Sequence, residues 1–520
     1  MAKIERTKNA TRNIFYGILL KIYQIIVPFA MRTAMIYLMG VQYLGLNSLF
    51  ASILQVLNLA ELGVGSAMVY SMYKPIAEDD ETTICALMKL YRTYYRVIGL
   101  VIAVVGCALT PFIPYLIKSD VPAGLNIYVL YILNLGATVL SYWLFAYKNS
   151  ILQAHQRTDV VSRVTLVTST VQYGLQIAIL WISHNYYLYV IVALATQALT
   201  NITTAVCANK LYPQFKPKGD IPKEEVKQIN QRIKDLFTAK LGTTIVNSAD
   251  TIVISAFLGL TVLAVYQNYY FIMTSVVGFL MIIMSSCTAG IGNSLVTESM
   301  EKNYSDFRKF NLFITWIAGV CVCCFLNIYQ PFMILWAGEE YLLSFGCVIL
   351  MCIYFYLYVT NHLMATYKDA AGMWHEDRFR PLCSSMFNLA LNLLLVRYIG
   401  IIAIILSTVL SYILVNMPWL IHNLFKVVFK RNKNDFVRYY LKNTVVIICA
   451  AIITYMMCIW LPEKGIMTII IRLIISASIP NILFIILMGH GDDYIGMLDI
   501  IDRVSKRKFT NAIKAMKRRA

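Results

Sequence analysis

Lys21, Gln24, Pro28 and Arg32 follow one another at steps of three, four and four within NIFYGILLKIYQIIVPFAMRTAMIYLMG, residues 13–40. At 3.6 residues per turn this spacing puts them on one face of a helix. The stretch is otherwise apolar and exceeds the roughly 20 residues that a helix needs to cross a bilayer. Cations inside a membrane are expensive, and they normally face a polar partner or a wet cavity. Two further stretches offer matching groups. Gln55, Asn58 and Glu61 recur every three residues, and Lys240, Thr244, Asn247 and Thr251 share a face with Asp250 beside it. Three cations, Lys21, Arg32 and Lys240, thus stand against two carboxylates, Glu61 and Asp250. Such an excess predicts a cavity that receives an anionic head such as a phosphate or pyrophosphate, with arginine able to bind its oxygens in pairs. Lys21, Gln24, Arg32, Lys240 and Asn247 are the expected binding residues. Gln55 and Asn58 are expected to line the cavity, and Glu61 and Asp250 are candidates to hold a coupling H+ or Na+. The plainer alternatives are that the three cations snorkel to the headgroups and that the carboxylates form structural ion pairs.

Other chemistry is poorly represented. The acidic runs Glu78-Asp79-Asp80-Glu81 and Asp492-Asp493 sit in short polar segments without a nucleotide-binding pattern around them. The six histidines are scattered without zinc spacing, and Cys321, Cys323 and Cys324 lie in an apolar helix, where cysteine packs as a small side chain. No phosphate-binding loop or nucleophile elbow occurs, so hydrolysis of a nucleotide by this chain is not expected, and no cofactor or metal is implied.

The elements that must position these groups are transmembrane helices. The 520 residues are 59% hydrophobic and only 14% charged, against about 25% charged in soluble domains. Fourteen apolar spans are expected, including a second at 44–70, a fourth at 125–147, a seventh at 237–258, a long eighth at 262–295 that could kink at Gly278, and an eleventh and twelfth divided only by Arg397–Gly400. The net charge of +18 is mostly a topology signal. Of the 45 Lys and Arg residues, only Lys118, Arg397, Lys464 and Arg472 fall in outward segments, with Lys21 and Arg32 inside a span. This asymmetry places both termini in the cytoplasm and argues against nucleic acid as a partner. The basic Met1–Asn13 has no small-residue cleavage site and is not expected to be a removable signal.

The expected organisation is an N-terminal lobe at 1–211 with spans one to six, a cytoplasmic linker at 212–235, and a second lobe at 236–425 with spans seven to twelve. An added helix pair at 426–490 and a basic amphipathic tail at 491–520 follow. An internal repeat supports the two lobes. Met39-Gly40-Val41 and Leu44 match Leu258-Gly259-Leu260 and Leu263 at an offset that also carries Lys21 onto Lys240. Gly63-Val-Gly65-Ser-Ala-Met-Val69 matches Gly290-Ile-Gly292-Asn-Ser-Leu-Val296 at a slightly larger offset. An even number of spans between the copies makes the repeat parallel, with a pseudo-twofold along the membrane normal.

The run YLGLNSLFASILQVLNLAELGVGSAMVYSMYKPIAEDDE, from Tyr43 to Glu81, resembles the N-terminal region of bacterial Wzx-type polysaccharide flippases. These are lipid-linked oligosaccharide exporters of the multidrug/oligosaccharidyl-lipid/polysaccharide superfamily. FLGLTVLAVYQNYYF (257–271) and TAGIGNSLVTESMEKNY (288–304) are similar to the same family. The resemblance reaches to about Trp419 and is weakest in the last two spans. It implies a two-lobed all-α fold of fourteen helices in a bacterial inner membrane. It also implies the flipping of undecaprenyl-pyrophosphate-linked sugar repeat units for capsule, exopolysaccharide or O-antigen, alongside polysaccharide polymerase machinery. The cation-rich cavity of such relatives would correspond here to Lys21, Arg32 and Lys240.

The expected activity is alternating-access transport without enzymatic chemistry. Its rivals are a multidrug or toxin exporter and a lipid-linked peptidoglycan-precursor flippase of the same superfamily. A rival of another class is a membrane polysaccharide polymerase or ligase, which usually needs large outward loops. Segments such as Val41–Tyr43 and Gly259–Thr261 are too short to house one.

Overall fold

The computed structural model describes residues 6–118, 121–462, 464–489 and 491–505. It is all-α, and the described chain falls into two compact units, Met1–Gln267 and Asn268–Ala520.

In the first unit α1 (Arg6–Leu38) is followed by α2 (Val41–Leu57), α3 (Val64–Ala77) and α4 (Glu81–Leu109). Next come α5 (Ile127–Trp143), the short α6 (Asn149–Ala154), α7 (Thr158–Ile182) and α8 (Tyr186–Leu211). The loop after Leu211 leads into α9 (Lys223–Leu258). Helix starts are set by side chains that accept the first free backbone N–H groups. Asp80 accepts from Thr83 N, Asn126 from Tyr128 N and Val129 N, and Asn185 from Leu188 N. The Asp80 carboxyl is held down at about 2 by its hydrogen bonds from the Thr82 hydroxyl and the Thr83 amide. Within this unit α1 packs on α7, α7 on α8, α4 on α5, and α9 on α2 and α3.

α10 (Leu260–Thr297) contains the boundary between the units. The second unit continues with α11 (Met300–Trp336), α12 (Phe345–Ala370), the single-turn α13 (Trp374–Asp377), α14 (Arg380–Ile399) and α15 (Ile401–Ser411). It ends with α16 (Met417–Val427), α17 (Lys433–Cys458), α18 (Ile466–Met488) and α19 (Asp492–Ser505). α11 is its axis, with α12, α17, α18 and α19 packed around it. Gly319 allows the approach of α17, since a Cβ there would lie 2.1 Å from Ile447 Cδ1. Trp316 Nε1 donates to Asn481 Oδ1 at 2.7 Å and Asn327 Nδ2 to Ser476 Oγ at 3.0 Å, so α18 is hydrogen-bonded to α11. α19 docks through the buried Tyr494, Met497 and Leu498, and Asp493 pairs with Arg308 at 2.6 Å. The rest of the basic tail, 506–520, lies outside the described residues.

Among the described residues twelve helices are long and apolar enough to span a bilayer, or thirteen if the pair Ile127–Trp143 and Ala146–Ala154, bent by 48°, is one span. The seventh expected span coincides with the end of α9, where only Ser248–Leu258 forms an apolar stretch. Two expected spans are less regular than the hydropathy implied. The second, at 44–70, is broken between α2 and α3, and the fourth turns at Leu144–Phe145, where Phe145 adopts φ 61°. The eighth runs as one helix through Gly278; its 38 residues reach about 57 Å at 1.5 Å per residue, beyond the roughly 30 Å hydrocarbon layer. The eleventh and twelfth form a tight hairpin, α14 and α15, turned at Gly400 with φ +57°. Residues 223–235 of the expected linker are the opening turns of α9, continuous with the seventh span.

The repeat has a backbone signature in one of its two matches. Gly40, between α1 and α2, has φ 113° and ψ 157°; Gly259, between α9 and α10, has φ 94° and ψ 172°. An L side chain rarely adopts either conformation. The second match does not share this behaviour. Gly63 is left-handed and breaks a helix, whereas Gly290 lies within the uninterrupted α10.

Candidate functional site

The break after α2 creates a cavity in the first unit that is rich in polar and charged side chains. Asn58–Glu61 tighten into a 3-10 turn, Leu62 extends, and Gly63 at φ +91° restarts the chain as α3. Gly63 is required twice over. Its backbone is left-handed, and a Cβ would fall 2.7 Å from Leu236 Cβ and 3.0 Å from Ile233 O on α9. Gly45 serves the same end of close approach, with a hypothetical Cβ 2.2 Å from Leu260 O. The unwound turn delivers Asn58 and Glu61 to a cavity of about 300 Å³, lined also by Gln55, Leu62, Gly63, Gly65, Ser66, Lys240 and Thr244.

Glu61 is clamped rather than loose. Tyr95 Oη donates to Glu61 Oε1 at 2.5 Å and Tyr142 Oη to Glu61 Oε2 at 2.7 Å. Tyr142 Oη also lies 3.1 Å from Asn58 Oδ1, and Tyr91 Oη donates to Tyr95 Oη at 2.6 Å. Tyr91 and Tyr95 are one turn apart on α4, Tyr142 comes from α5, and all three are buried. The Tyr95 and Tyr142 rings meet edge to face at 5.3 Å, a favourable aromatic geometry. Hydroxyl–carboxylate bonds of this kind are among the stronger protein hydrogen bonds. None of these tyrosines was expected from the sequence. Their only visible signal is the i, i+4 spacing of Tyr91 and Tyr95, which says nothing about a partner across the fold.

Lys240 reaches the cavity from α9, donating from Nζ to Ser66 Oγ at 3.4 Å, while Thr244 Oγ1 bonds back to Lys240 O at 3.3 Å. Among the described residues neither Glu61 nor Lys240 forms an ion pair within 4.0 Å. One ammonium and one carboxylate therefore share the cavity with two amides and two hydroxyls.

The structure brings Gln55, Asn58, Glu61 and Lys240 together but does not place Lys21, Gln24 or Arg32 on this wall. α1 faces α7 through Asn13, whose side chain bonds Gln156 O and Asp159 N, through Tyr16 beneath Arg163, and through Tyr23 bonded to Thr170. At about 100° per residue, Lys21 and Arg32 lie roughly opposite Tyr16 and Tyr23 on α1, whereas Gln24 lies close to the line of Asn13. Gln24 is exposed, Lys21 half-buried, and Arg32 half-buried within electrostatic reach of Tyr189 on α8. Asp250 is buried on α9, one residue from Thr251, whose hydroxyl accepts from Gln267 Nε2 at 3.0 Å. The Asn247 side chain lies outside the described residues. Among the described residues no three His, Cys, Asp or Glu side chains cluster as metal ligands.

The sequence matches no protein-family model and no curated protein. The fold does match solved structures, among them a transporter of the MOP superfamily. Lipid II flippase MurJ in an inward closed conformation superposes with a TM-score of 0.69 at 14% identity, covering 91% of this chain and 98% of that one. An inward-facing multidrug resistance MATE family transporter gives 0.61 at 13% identity, covering 78% and 94%. A point mutant of the Vibrio cholerae MATE transporter VcmN gives 0.54 at 14% identity, covering 82% and 98%.

Proposed function

We propose that this protein is a flippase that moves lipid-linked oligosaccharides across a bacterial inner membrane by alternating access. The observation that carries the reading is a difference in coverage. MATE transporters align over nearly their whole length yet account for only about four-fifths of this chain, whereas the lipid II flippase MurJ accounts for 91%. That difference supports helices in excess of the drug-exporter plan and a likeness to the lipid II flippase over more of the chain. The Wzx-type resemblance around Tyr43–Glu81 favours an oligosaccharide cargo, and the MurJ likeness favours a peptidoglycan precursor as the second reading.

In this reading two six-helix lobes, 1–211 and 236–425, joined by 212–235, rock about a substrate path. The pair at 426–490 accompanies the polyprenyl tail. Both termini are cytoplasmic, as the placement of Lys and Arg supports. The pyrophosphate carries charge into the membrane, where even one bare charge costs several kcal/mol. Lys21, Arg32 and Lys240 offset that cost. Gln24 and Asn247 supply neutral contacts to the head, Gln55 and Asn58 line the cavity, and Glu61 and Asp250 take the coupling H+ or Na+.

The test is reconstitution of the purified chain in liposomes with a fluorescent undecaprenyl-pyrophosphoryl oligosaccharide, followed by a leaflet-accessibility assay. Movement of the intact lipid between leaflets is the expected result. Movement of lipid II alone would assign a peptidoglycan precursor instead, and efflux of small drugs alone would assign a multidrug exporter. Lengthening of the sugar chain would identify a polymerase.

A further inference from the structure

We infer that the cavity of Gln55, Asn58, Glu61, Ser66, Lys240 and Thr244 holds a sugar ring of the cargo and not its pyrophosphate, an assignment that rests on the flippase reading and moves Lys240 within it from the head to the sugar. The first argument is charge. A pyrophosphate site needs an excess of cationic donors, and this cavity balances one lysine against one carboxylate. Glu61 cannot swing out of the way without breaking its bonds from Tyr95 and Tyr142, so whenever it holds no coupling ion it stands as a like charge against any phosphate oxygen. Like charges a few ångströms apart repel.

The second argument is the donor and acceptor inventory. A carboxylate offers about four lone-pair sites, and the two tyrosines use two of them. The remainder suit hydroxyl donors. The single Tyr142 hydroxyl proton goes to Glu61, so Asn58 offers both its Oδ1 as an acceptor and its amide N–H groups as donors. Gln55 offers both roles, the Ser66 and Thr244 hydroxyls do likewise, and Lys240 donates. A polyhydroxylated ring, whose every hydroxyl both donates and accepts, meets this set; phosphate oxygens, which only accept, leave Glu61 facing a repulsive partner. The third argument is size. Small-molecule pockets span on the order of 300–1,000 Å³, and about 300 Å³ suits one sugar ring rather than a whole repeat unit. Lys21 and Arg32 do not line the cavity, so a charged head held by them would rest elsewhere.

The experiment uses the full chain in nanodiscs and two probes, undecaprenyl pyrophosphate and undecaprenyl-pyrophosphoryl hexoses bearing glucose, galactose or N-acetylglucosamine. Wild type is expected to bind at least one hexose-bearing lipid more tightly than the bare pyrophosphate. Asn58→Ala and Gln55→Ala should erase that preference, a loss of about tenfold each, while leaving the bare lipid's affinity and the melting temperature unchanged. A parallel loss for the bare pyrophosphate would overturn the assignment, as would a wild type with no preference for any sugar. If wild type binds neither class of lipid, the flippase reading itself falls and the sugar assignment with it.

Discussion

Tyr95 Oη donates to Glu61 Oε1 at 2.5 Å across 34 residues of sequence, and with Tyr142 it fixes a carboxylate at the point where the α2–α3 helix unwinds. That carboxylate is thereby a rigid part of the cavity wall. Replacing Tyr95 or Tyr142 by Phe removes one donor and keeps the ring. Each change should cost about 1.5–3 kcal/mol, as expected for a hydrogen bond to a charged group, and should lower transport further than it lowers melting temperature. Wild-type transport in both variants would show that the clamp is irrelevant to function.

Gly63→Ala should be among the most damaging single-methyl additions in the chain. It forces a side chain into a left-handed backbone and onto Leu236. Gly17→Ala, where nothing lies within 4 Å, is the control and should be neutral or stabilising by about 0.5–1 kcal/mol, the helix preference for Ala. Melting curves in detergent compare the two, and equal effects would refute the packing argument.

The buried pair Asp377–Arg380 gives a test in the second unit. Arg380 Nε and Nη2 each donate to the Asp377 carboxylate at 2.7 Å, Arg380 also bonds Asn416, and both side chains are nearly inaccessible. Asp377→Asn leaves a buried cation short of its partner and should cost about 3–5 kcal/mol. The double change Asp377→Leu with Arg380→Leu should cost less than either single one, which a double-mutant cycle measures.

His155 makes stability depend on pH. Its ring lies 4.3 Å from that of Tyr212 and 5.6 Å from that of Phe215, tilted against both, and burial lowers its affinity for a proton below the ordinary 6.5, only partly opposed by the bond to Ile151 O. The unfolded chain therefore binds more protons through the window below 6.5, and stability is lost as pH falls through it. Melting temperature measured from pH 7.5 down to 5 should fall more steeply in wild type than in His155→Gln.

Lys21→Ala, Arg32→Ala and Lys240→Ala should each abolish transport without loss of membrane insertion, read by the leaflet assay and by the amount of folded protein in the membrane fraction. Full transport in all three variants would remove the cationic path from the proposal.

Much of the architecture was legible in the order of residues alone. Apolar length marks a membrane helix whatever it packs against, because an unpaired backbone cannot sit in hydrocarbon, and the seams at Gly40, Gly259 and Gly400 carry a residue that tolerates positive φ. Hydropathy is blind to a break that keeps its apolar residues, so 44–70 read as one span although Asn58–Gly63 unwinds. Nor could spacing reveal the site. It groups residues on one helix, and so linked Lys21 with Arg32, but Glu61 acquires Tyr95, Tyr142 and a shared cavity with Lys240 only when α4, α5 and α9 pack around the turn. Short-range periodicity is written along the chain; the meeting of side chains from different helices is a property of tertiary packing, which a few ångströms decide.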